Sequence, residues 1–444
     1  MIKLKNSKIF VLGMARSGYE VSKYLSRYNN EIIVTDAKEQ DRDKVKELES
    51  LGVKVVITDK PANFIDETFD LVIKNPGIKY TNPLVVKASS LGIAVVNEME
   101  VASYFFPKNL QVIGVTGSNG KTTTTNLIHE MLKASHKKVI MAGNMGIPVC
   151  SILDNLTDDT ILLLEVSIQQ LCNLSHFKTN VSVLTNLTPT HIDFLDTYEN
   201  YKNTKKRIFN NHSDKDIAIL NMGNADEMEL TKDIKSHKIY FSSKIDTDIC
   251  VKGDYLNYFG EDIIKLEDIK LQGMHNYENA CCAIGAVKHY GVSNEAIIQV
   301  LKTFGGVEHR LEFVRKVNGV EYYNDSEATN TVSTIIALKA FKKPEILILG
   351  GLDRGHSFDP LNDYIGNVKL VGCYGETKQK IEEWAHKMNL PVKVFDNLHD
   401  TTMYIASVAS SGDVVLLSPA CASWDQYKCC EDRGDEFKRI VNGL

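Results

Sequence analysis

Short apolar runs recur along this chain, each followed by a glycine or polar turn and then by a stretch with helical spacing. Residues 8–12, 32–34, 53–57, 71–74 and 95–97 read as one set of strands, with a helix from the first turn to about Arg27. Residues 110–115, 161–166 and 181–187 read as a second set, and 320–323, 346–349, 370–374, 392–395 and 414–417 as a third. Runs that are apolar throughout, rather than alternating, are the mark of parallel strands covered on both faces. Segment 123–134 places Leu127, Met131 and Leu132 on one side and reads as a helix. The pattern predicts an α/β protein of three domains in series, 1–99, 100–306 and 307–444, with a hinge at Gly305-Gly306-Val307.

The stretch Gly114-Val115-Thr116-Gly117-Ser118-Asn119-Gly120-Lys121-Thr122-Thr123 joins a strand to a helix. Glycines let successive backbone N–H groups turn inward on an anion, and the helix N-terminus adds its positive end. Lys121 is placed to reach the β- and γ-phosphates, and the Thr122 hydroxyl to hold Mg²⁺. Val115 departs from the usual form of such loops, whose bland alternative is a glycine turn with a solvated lysine. An ATP-dependent enzyme with a phosphate-loop central domain is the first expectation. A second turn, Gly13-Met14-Ala15-Arg16-Ser17-Gly18, follows the first strand, and Asp36 closes the next. This is the Rossmann-like layout of a dinucleotide or nucleotide-diphosphate site, with a ligand-free tight turn as the alternative. Asn75-Pro76-Gly77-Ile78 lies at another strand end, where ligand contacts gather.

Glu165 ends a buried strand, where a carboxylate needs a cation; beside a phosphate loop Mg²⁺ is the natural one, and an ion pair is the alternative. His191 follows another buried strand and is, alone, as readily structural as functional. Tyr201 to Arg207 reads as a helix with a basic, solvated face. Asn276 or Asn279, on a helix opening near Gln272, has an amide to offer a base.

Composition narrows the class. With 444 residues, 43% of them hydrophobic and 24% charged, the chain is ordinary for a soluble multidomain protein. A net charge of −6 leaves no basic footprint for nucleic acid or anionic membrane. No apolar run reaches the length of a membrane span, and Met1-Ile2-Lys3-Leu4-Lys5 lacks a signal-peptide core. Nine scattered cysteines without C-x-x-C suit reduced thiols. The expectation is a cytoplasmic monomer with small-molecule partners.

The phosphate loop, His275-Asn276-Tyr277-Glu278-Asn279-Ala280, His309-Arg310, Asn324-Asp325-Ser326 and Ser418-Pro419-Ala420-Cys421-Ala422-Ser423 occur in that order. Together they resemble the Mur ligases of peptidoglycan synthesis. The first glycine turn, Asn75-Pro76-Gly77-Ile78, Gly350-Gly351-Leu352-Asp353-Arg354-Gly355 and the C-terminal run into Trp424-Asp425-Gln426-Tyr427 are similar to the branch that joins D-glutamate to UDP-MurNAc-L-alanine. The resemblance implies ATP and Mg²⁺, and an acyl phosphate attacked by the amine of the incoming amino acid. It implies that Gly114, Gly117, Ser118, Asn119, Gly120, Lys121, Thr122, Thr123, Asn279, Arg310 and Asp325 bind ATP. It puts Thr122, Glu165, His191 and a CO₂-carbamylated Lys205 at the metal, with Lys121, His191 and Lys205 as the catalytic groups. Gly13, Met14, Arg16, Ser17, Asp36, Asn75, Gly77 and Asn144 fall to the UDP-sugar, and Thr329, Arg354 and Ser423 to D-glutamate. Three places depart from the family pattern: Ile168-Gln169 after Glu165, Glu327 where a lysine is usual, and Cys430 where an aromatic is usual. Glu327 is expected to repel a dicarboxylate unless Arg354 compensates by pairing with the substrate, with Glu327, or with both. A weakly active nucleotide- or UDP-sugar-binding paralogue, and a ligase for another amino acid, are the alternative readings.

Overall fold

The computed structural model describes residues 2–172, 174–189 and 192–444. Two compact units divide the chain, Met1–Phe304 and Gly305–Leu444. Among the described residues the strands form three sheets. The first holds β1 (Lys8–Leu12), β2 (Glu31–Asp36), β3 (Lys54–Ile57), β4 (Leu71–Lys74) and β5 (Ala94–Val96), all parallel, in the order β3-β2-β1-β4-β5. Ile9 and Val11 pack with Val21 and Leu25 on one face, while Phe10 and Leu12 pack with Leu84 and Ala88 on the other. Both faces are thus covered, which is why these strands read as unbroken apolar runs.

The second sheet holds β6 (Gln111–Thr116), β7 (Val139–Gly143), β8 (Ile161–Glu165), β9 (Val181–Leu184), β10 (Ile217–Asn221), β11 (His237–Ser242), β12 (Ile249–Lys252), β13 (Tyr255–Tyr258) and β14 (Glu261–Lys265). Their order is β14-β13-β12-β11-β10-β9-β6-β8-β7, parallel except for the antiparallel β12-β13-β14 meander. One core runs from the first sheet into the second: Ile9, Val11 and Leu71 belong to the same buried cluster as Val112, Leu162 and Leu184. Fully buried Glu100 reinforces that joint by accepting the N–H groups of Ser175, His176 and Phe177 at 3.0, 2.7 and 3.1 Å. Helices Lys121–Ala134 and Met274–Lys288 cover the opposite face.

The second unit carries β15 (Glu312–Val317), β16 (Val320–Asn324), β17 (Glu345–Gly350), β18 (Val368–Tyr374), β19 (Val392–Val394) and β20 (Val414–Leu417). They run in the order β15-β16-β20-β17-β18-β19, parallel apart from β15. Of the boundaries that differ from the sequence expectation, two shape the phosphate loop. The helix after the phosphate loop begins at Lys121, not 123, because left-handed Gly120 serves as its N-cap. Strand β9 stops at Leu184, not 187, because Thr185 to Thr188 turn to grip the phosphate loop. Among the described residues no helix is long and apolar enough to cross a membrane.

Candidate active site

The phosphate loop leaves β6 at Thr116 and is held from the side by the segment after β9. Asn119 donates its N–H to Asn186 Oδ1 at 2.9 Å, and its carbonyl accepts from Thr185 Oγ1 at 2.5 Å. The Ser118 hydroxyl accepts the Thr188 N–H at 2.9 Å and bonds Tyr201 Oη at 2.8 Å. Two glycines are steric necessities. Gly117 has φ +148° and a Cβ there would lie 1.9 Å from Thr185 Oγ1; Gly120 has φ +78° and its Cβ would lie 2.2 Å from Asn279 Oδ1. Lys121 Nζ donates to the carbonyls of Gly117 and Ser118 at 2.9 and 3.0 Å, curling back over the loop. Asn279 is buried on the helix Met274–Lys288 and its Oδ1 accepts from Thr124 Oγ1 at 3.4 Å.

Next to this loop, β8 delivers Glu165. Its Oε1 accepts from Asn144 Nδ2 at 2.8 Å, while its buried Oε2 has no hydrogen-bond partner among the described residues. A buried carboxylate oxygen left without a donor is costly unless a cation takes it. Helix Tyr198–Lys206 delivers Lys205, which is 1% exposed and donates to Thr116 Oγ1 at 2.8 Å. The basic helix is therefore not a uniformly solvated face: Tyr201, Thr204 and Lys205 turn inward. Burial pushes the Lys205 ammonium well below the usual lysine range, Lys121 pushes the same way, and Glu165 opposes both. A buried amine that favours its neutral form is a nucleophile. Thr122 is buried at the start of the helix after the loop. Among the described residues no cluster of three His, Cys, Asp or Glu is assembled. The donors present are hard oxygens, which suit Mg²⁺ completed by phosphate oxygens. His191 lies outside the described residues.

The first sheet builds a crevice where its strand order reverses, between β1 and β4, the place where open parallel sheets bind ligands. Gly13 donates its N–H to Thr35 O at 2.8 Å, and Met14 to Asp36 Oδ2 at 2.9 Å. Asp36 also accepts from Lys38 N at 3.1 Å, so its carboxylate fixes the glycine turn. Asn75 reaches Ser17 Oγ at 3.4 Å and caps Gly77 N at 3.2 Å. Arg16 Nη1 reaches across to Gly146 O at 3.3 Å, next to Asn144. Asn144 itself faces Glu165.

Known proteins share both the sequence and the fold. Residues 7–97 match a Mur ligase MurD-like N-terminal domain, 115–287 a Mur ligase middle domain, and 309–421 a Mur ligase, glutamate ligase domain. The UDP-N-acetylmuramoylalanine–D-glutamate ligase of Geobacillus kaustophilus is 41% identical over 448 residues, covering 99% of this chain and 98% of that one. That of Bacillus cereus is 40% identical over 446 residues, covering 100% and 99%. The chain belongs to the Mur ligase family. Solved structures agree on the fold: UDP-N-acetylmuramate-alanine ligase from Thermotoga maritima superposes with a TM-score of 0.59 at 17% identity, over 98% of this chain and 99% of that one. A MurF structure from Acinetobacter baumannii gives 0.57 at 14%, over 93% and 92%.

The second unit of this Mur ligase carries its own polar cluster. Asp325 follows β16, is 5% exposed, and accepts from Ser418 Oγ at 2.7 Å and Leu311 N at 3.1 Å. Burial pushes its carboxyl up to about 7 against those bonds. Arg310 Nε donates to Glu327 Oε2 at 3.0 Å. Of the pairings left open for Arg354, the one with Glu327 is not formed here: Arg354 is exposed and lies over the Trp424 ring at 4.6 Å. Ser423 is 2% exposed and its Oγ has no partner among the described residues. Thr329 is half-buried, and its N–H bonds Glu327 O at 2.8 Å. The sequence pattern does not reveal fully buried Arg433, which donates to Ser326 Oγ at 2.9 Å, Ser326 O at 2.8 Å and Cys421 O at 3.0 Å. An arginine in an amphipathic helix that also carries Lys438 and Arg439 gives no signal of that role. Cys430 O accepts from Ser326 Oγ at 2.7 Å, so the backbone at this departure is tied to the Asn324-Asp325-Ser326 turn.

Proposed function

We propose that this Mur ligase spends ATP to join the carboxylate of UDP-MurNAc-L-alanine to the amine of D-glutamate. The observation that carries the reading is the cluster of Lys121, Glu165 and buried Lys205 around the phosphate loop. It is supported by relatives about 40% identical over the whole chain whose names state that reaction. A carboxylate is a poor electrophile, and transfer of the γ-phosphoryl group makes its carbonyl attackable. The amine of D-glutamate then adds, phosphate leaves with the carboxylate oxygen, and an amide remains. In this reading Lys121 and the loop N–H groups of Gly114 to Thr123 hold the phosphates, Asn279 the base, and Arg310 and Asp325 the rest of the nucleotide. Mg²⁺ supplies charge neutralisation for phosphoryl transfer; Thr122, Glu165 and carbamylated Lys205 hold it, and His191 is assigned with them. Carbamylation needs the neutral amine that burial of Lys205 favours. The β1–β4 crevice, with Gly13, Met14, Arg16, Ser17, Asp36, Asn75 and Gly77, takes the UDP-sugar, and Asn144 links it to Glu165. Thr329, Arg354 and the unpartnered Ser423 hydroxyl take D-glutamate. The boundaries 1–99, 100–306 and 307–444, a monomeric state and a cytoplasmic site of action belong to the same proposal.

The test is phosphate release with UDP-MurNAc-L-alanine and ATP across a panel of amino acids. D-glutamate-dependent release that disappears in a folded Lys121→Ala variant is the expected result. Release with a different amino acid, or none with any, would overturn the reading.

A further inference from the structure

Lys74, the last residue of β4, is 1% exposed. Its Nζ donates to Ile78 O at 3.0 Å and to Pro76 O at 3.3 Å, and lies 5.1 Å from the centroid of the Tyr80 ring. Among the described residues the titratable neighbour that offsets its burial is the Cys172 thiol, and burial pushes the ammonium down to about 8. The other groups around that thiol are Tyr80, Arg207 and Lys205, which are neutral or cationic. A buried cation held by two carbonyls, with no carboxylate beside it among the described residues, is expensive to keep. A buried amine so perturbed, at the edge of a ligand crevice, is a candidate functional group.

Its position says which counter-charge. The two carbonyls bracket Gly77 in the Asn75-Pro76-Gly77-Ile78 turn, which forms one wall of the β1–β4 crevice. The turn packs tightly on the opposite wall: a Cβ at Gly13 would lie 3.1 Å from Asn75 Cβ and 3.3 Å from Ile78 Cδ1. A sugar diphosphate bound in that crevice would bring two negative charges to the strand ends, where Lys74 closes β4. We propose that Lys74 is a positioning residue for the UDP-sugar, shaping the turn through two carbonyls and supplying the buried positive charge that the diphosphate neutralises. The inference rests on the UDP-sugar reading of the crevice. A turn that needed only a hydrogen-bond donor would be served equally by glutamine, which separates the charge from the geometry.

The experiment is calorimetric titration of UDP-MurNAc-L-alanine into the full chain at pH 8, in two buffers of different ionisation enthalpy. Binding that stabilises the ammonium draws in protons, about half a proton per site when pH matches the free pKa. Wild type should show that uptake; Lys74→Gln and Lys74→Met should not. In both variants KM for the UDP-sugar should rise about tenfold, the size of one charge-assisted hydrogen bond, while kcat and KM for ATP stay within about threefold. Buffer-independent heats in wild type, or Lys74→Gln matching wild type in KM and uptake, would overturn the proposal. If neither variant folds, the wild-type titration decides alone, since proton uptake on binding supports the proposal and its absence overturns it. A wild type that binds no UDP-sugar, while still binding ATP, would overturn the reading of the crevice and this proposal with it.

Discussion

Replacing Lys205 with methionine separates what this side chain does for folding from what it does for the reaction. Methionine matches the lysine stem in length and removes the amine. In the folded protein Lys205 is 1% exposed and donates to Thr116 Oγ1, which still donates to Val166 O at 2.8 Å once the lysine is gone. The loss is therefore one ordinary hydrogen bond, about 1 kcal/mol. Against it stands a proton-linked penalty. The folded state holds the amine well below the usual lysine range, mainly by burial. Unfolded chains protonate it up to about pH 10.4. Between those limits the unfolded state binds the extra proton, so folding stability rises with pH, by about 1.4 kcal/mol per unit wherever the folded amine is neutral. Lys205→Met lacks that slope. From pH 7 to 9 the stability of wild type relative to the variant should climb by up to about 2.7 kcal/mol, the variant staying the more stable up to about pH 9.7, where the remaining penalty equals the roughly 1 kcal/mol hydrogen bond.

The assay is urea unfolding in CO₂-free buffer at several pH values, followed by far-UV circular dichroism. Both tryptophans, Trp384 and Trp424, lie in the second unit, so their fluorescence reports that unit alone and identifies its share of the transition. Parallel pH profiles for the two proteins would refute the reasoning, because they would mean that Lys205 stays protonated when folded. Ligase activity of the variant should fall at least about a hundredfold if the lysine carries the metal-binding carbamate.

Gly120→Ala meets both a left-handed backbone and Asn279 Oδ1 at 2.2 Å, so Tm should fall and KM for ATP should rise at least about tenfold; an unchanged thermal shift and KM would contradict the steric argument. Glu165→Gln removes a charge whose Oε2 has no partner among the described residues, so the ligand-free protein should be as stable or more stable while Mg²⁺-dependent stabilisation by ADP disappears; a Mg²⁺ response equal to wild type would remove Glu165 from the metal site. Glu327→Gln should move KM for ATP by at most about fivefold, since its bond is to partly exposed Arg310, and leave KM for D-glutamate alone; the opposite pattern would return Glu327 to the amino acid. Ser423→Ala deletes a buried hydroxyl without a partner among the described residues, so stability should hold or improve by up to about 1 kcal/mol while KM for D-glutamate rises; unchanged D-glutamate kinetics would mean that the hydroxyl does not meet the substrate.

The parallel strands are the most legible part of the fold. Strands β1, β4 and β20 span the residues that their apolar runs predict, since a strand covered on both faces leaves no polar position to confuse the pattern. The β12–β14 meander escapes such a reading because its burial keeps neither an unbroken run nor an alternation and its register shifts: the buried residues are adjacent pairs, Ile249-Cys250, Leu256-Asn257 and Ile263-Ile264, and the pairing slips between Leu256 and Asn257. Such a strand needs its partner to be recognised. The phosphate loop is legible because its glycines are demanded by backbone geometry, and that demand fixes residue type wherever the loop occurs.

Burial of polar groups is not legible, and it decides most of the site. Lys205 and Lys206 are neighbours of the same type, yet Lys206 pairs with Asp233 at the surface at 2.6 Å while Lys205 is enclosed. The one signal in the sequence is the spacing of Tyr201, Thr204 and Lys205, which share a helix face at i, i+3 and i+4. Lysine on such a face reads as polar until the face is seen to be covered. Lys74, Glu165 and Ser423 repeat the lesson: each is of a type normally at the surface, and each is buried with its polar end incompletely served by protein. A folded chain can keep such groups only by giving up stability that packed apolar residues would have supplied. Three of the four lie where a diphosphate, a metal or an amino acid is proposed on other grounds, and Lys205 lies against Thr116 at the end of β6, among the residues proposed for the metal. The misfit between residue type and burial is therefore what the structure adds to the sequence at the candidate site.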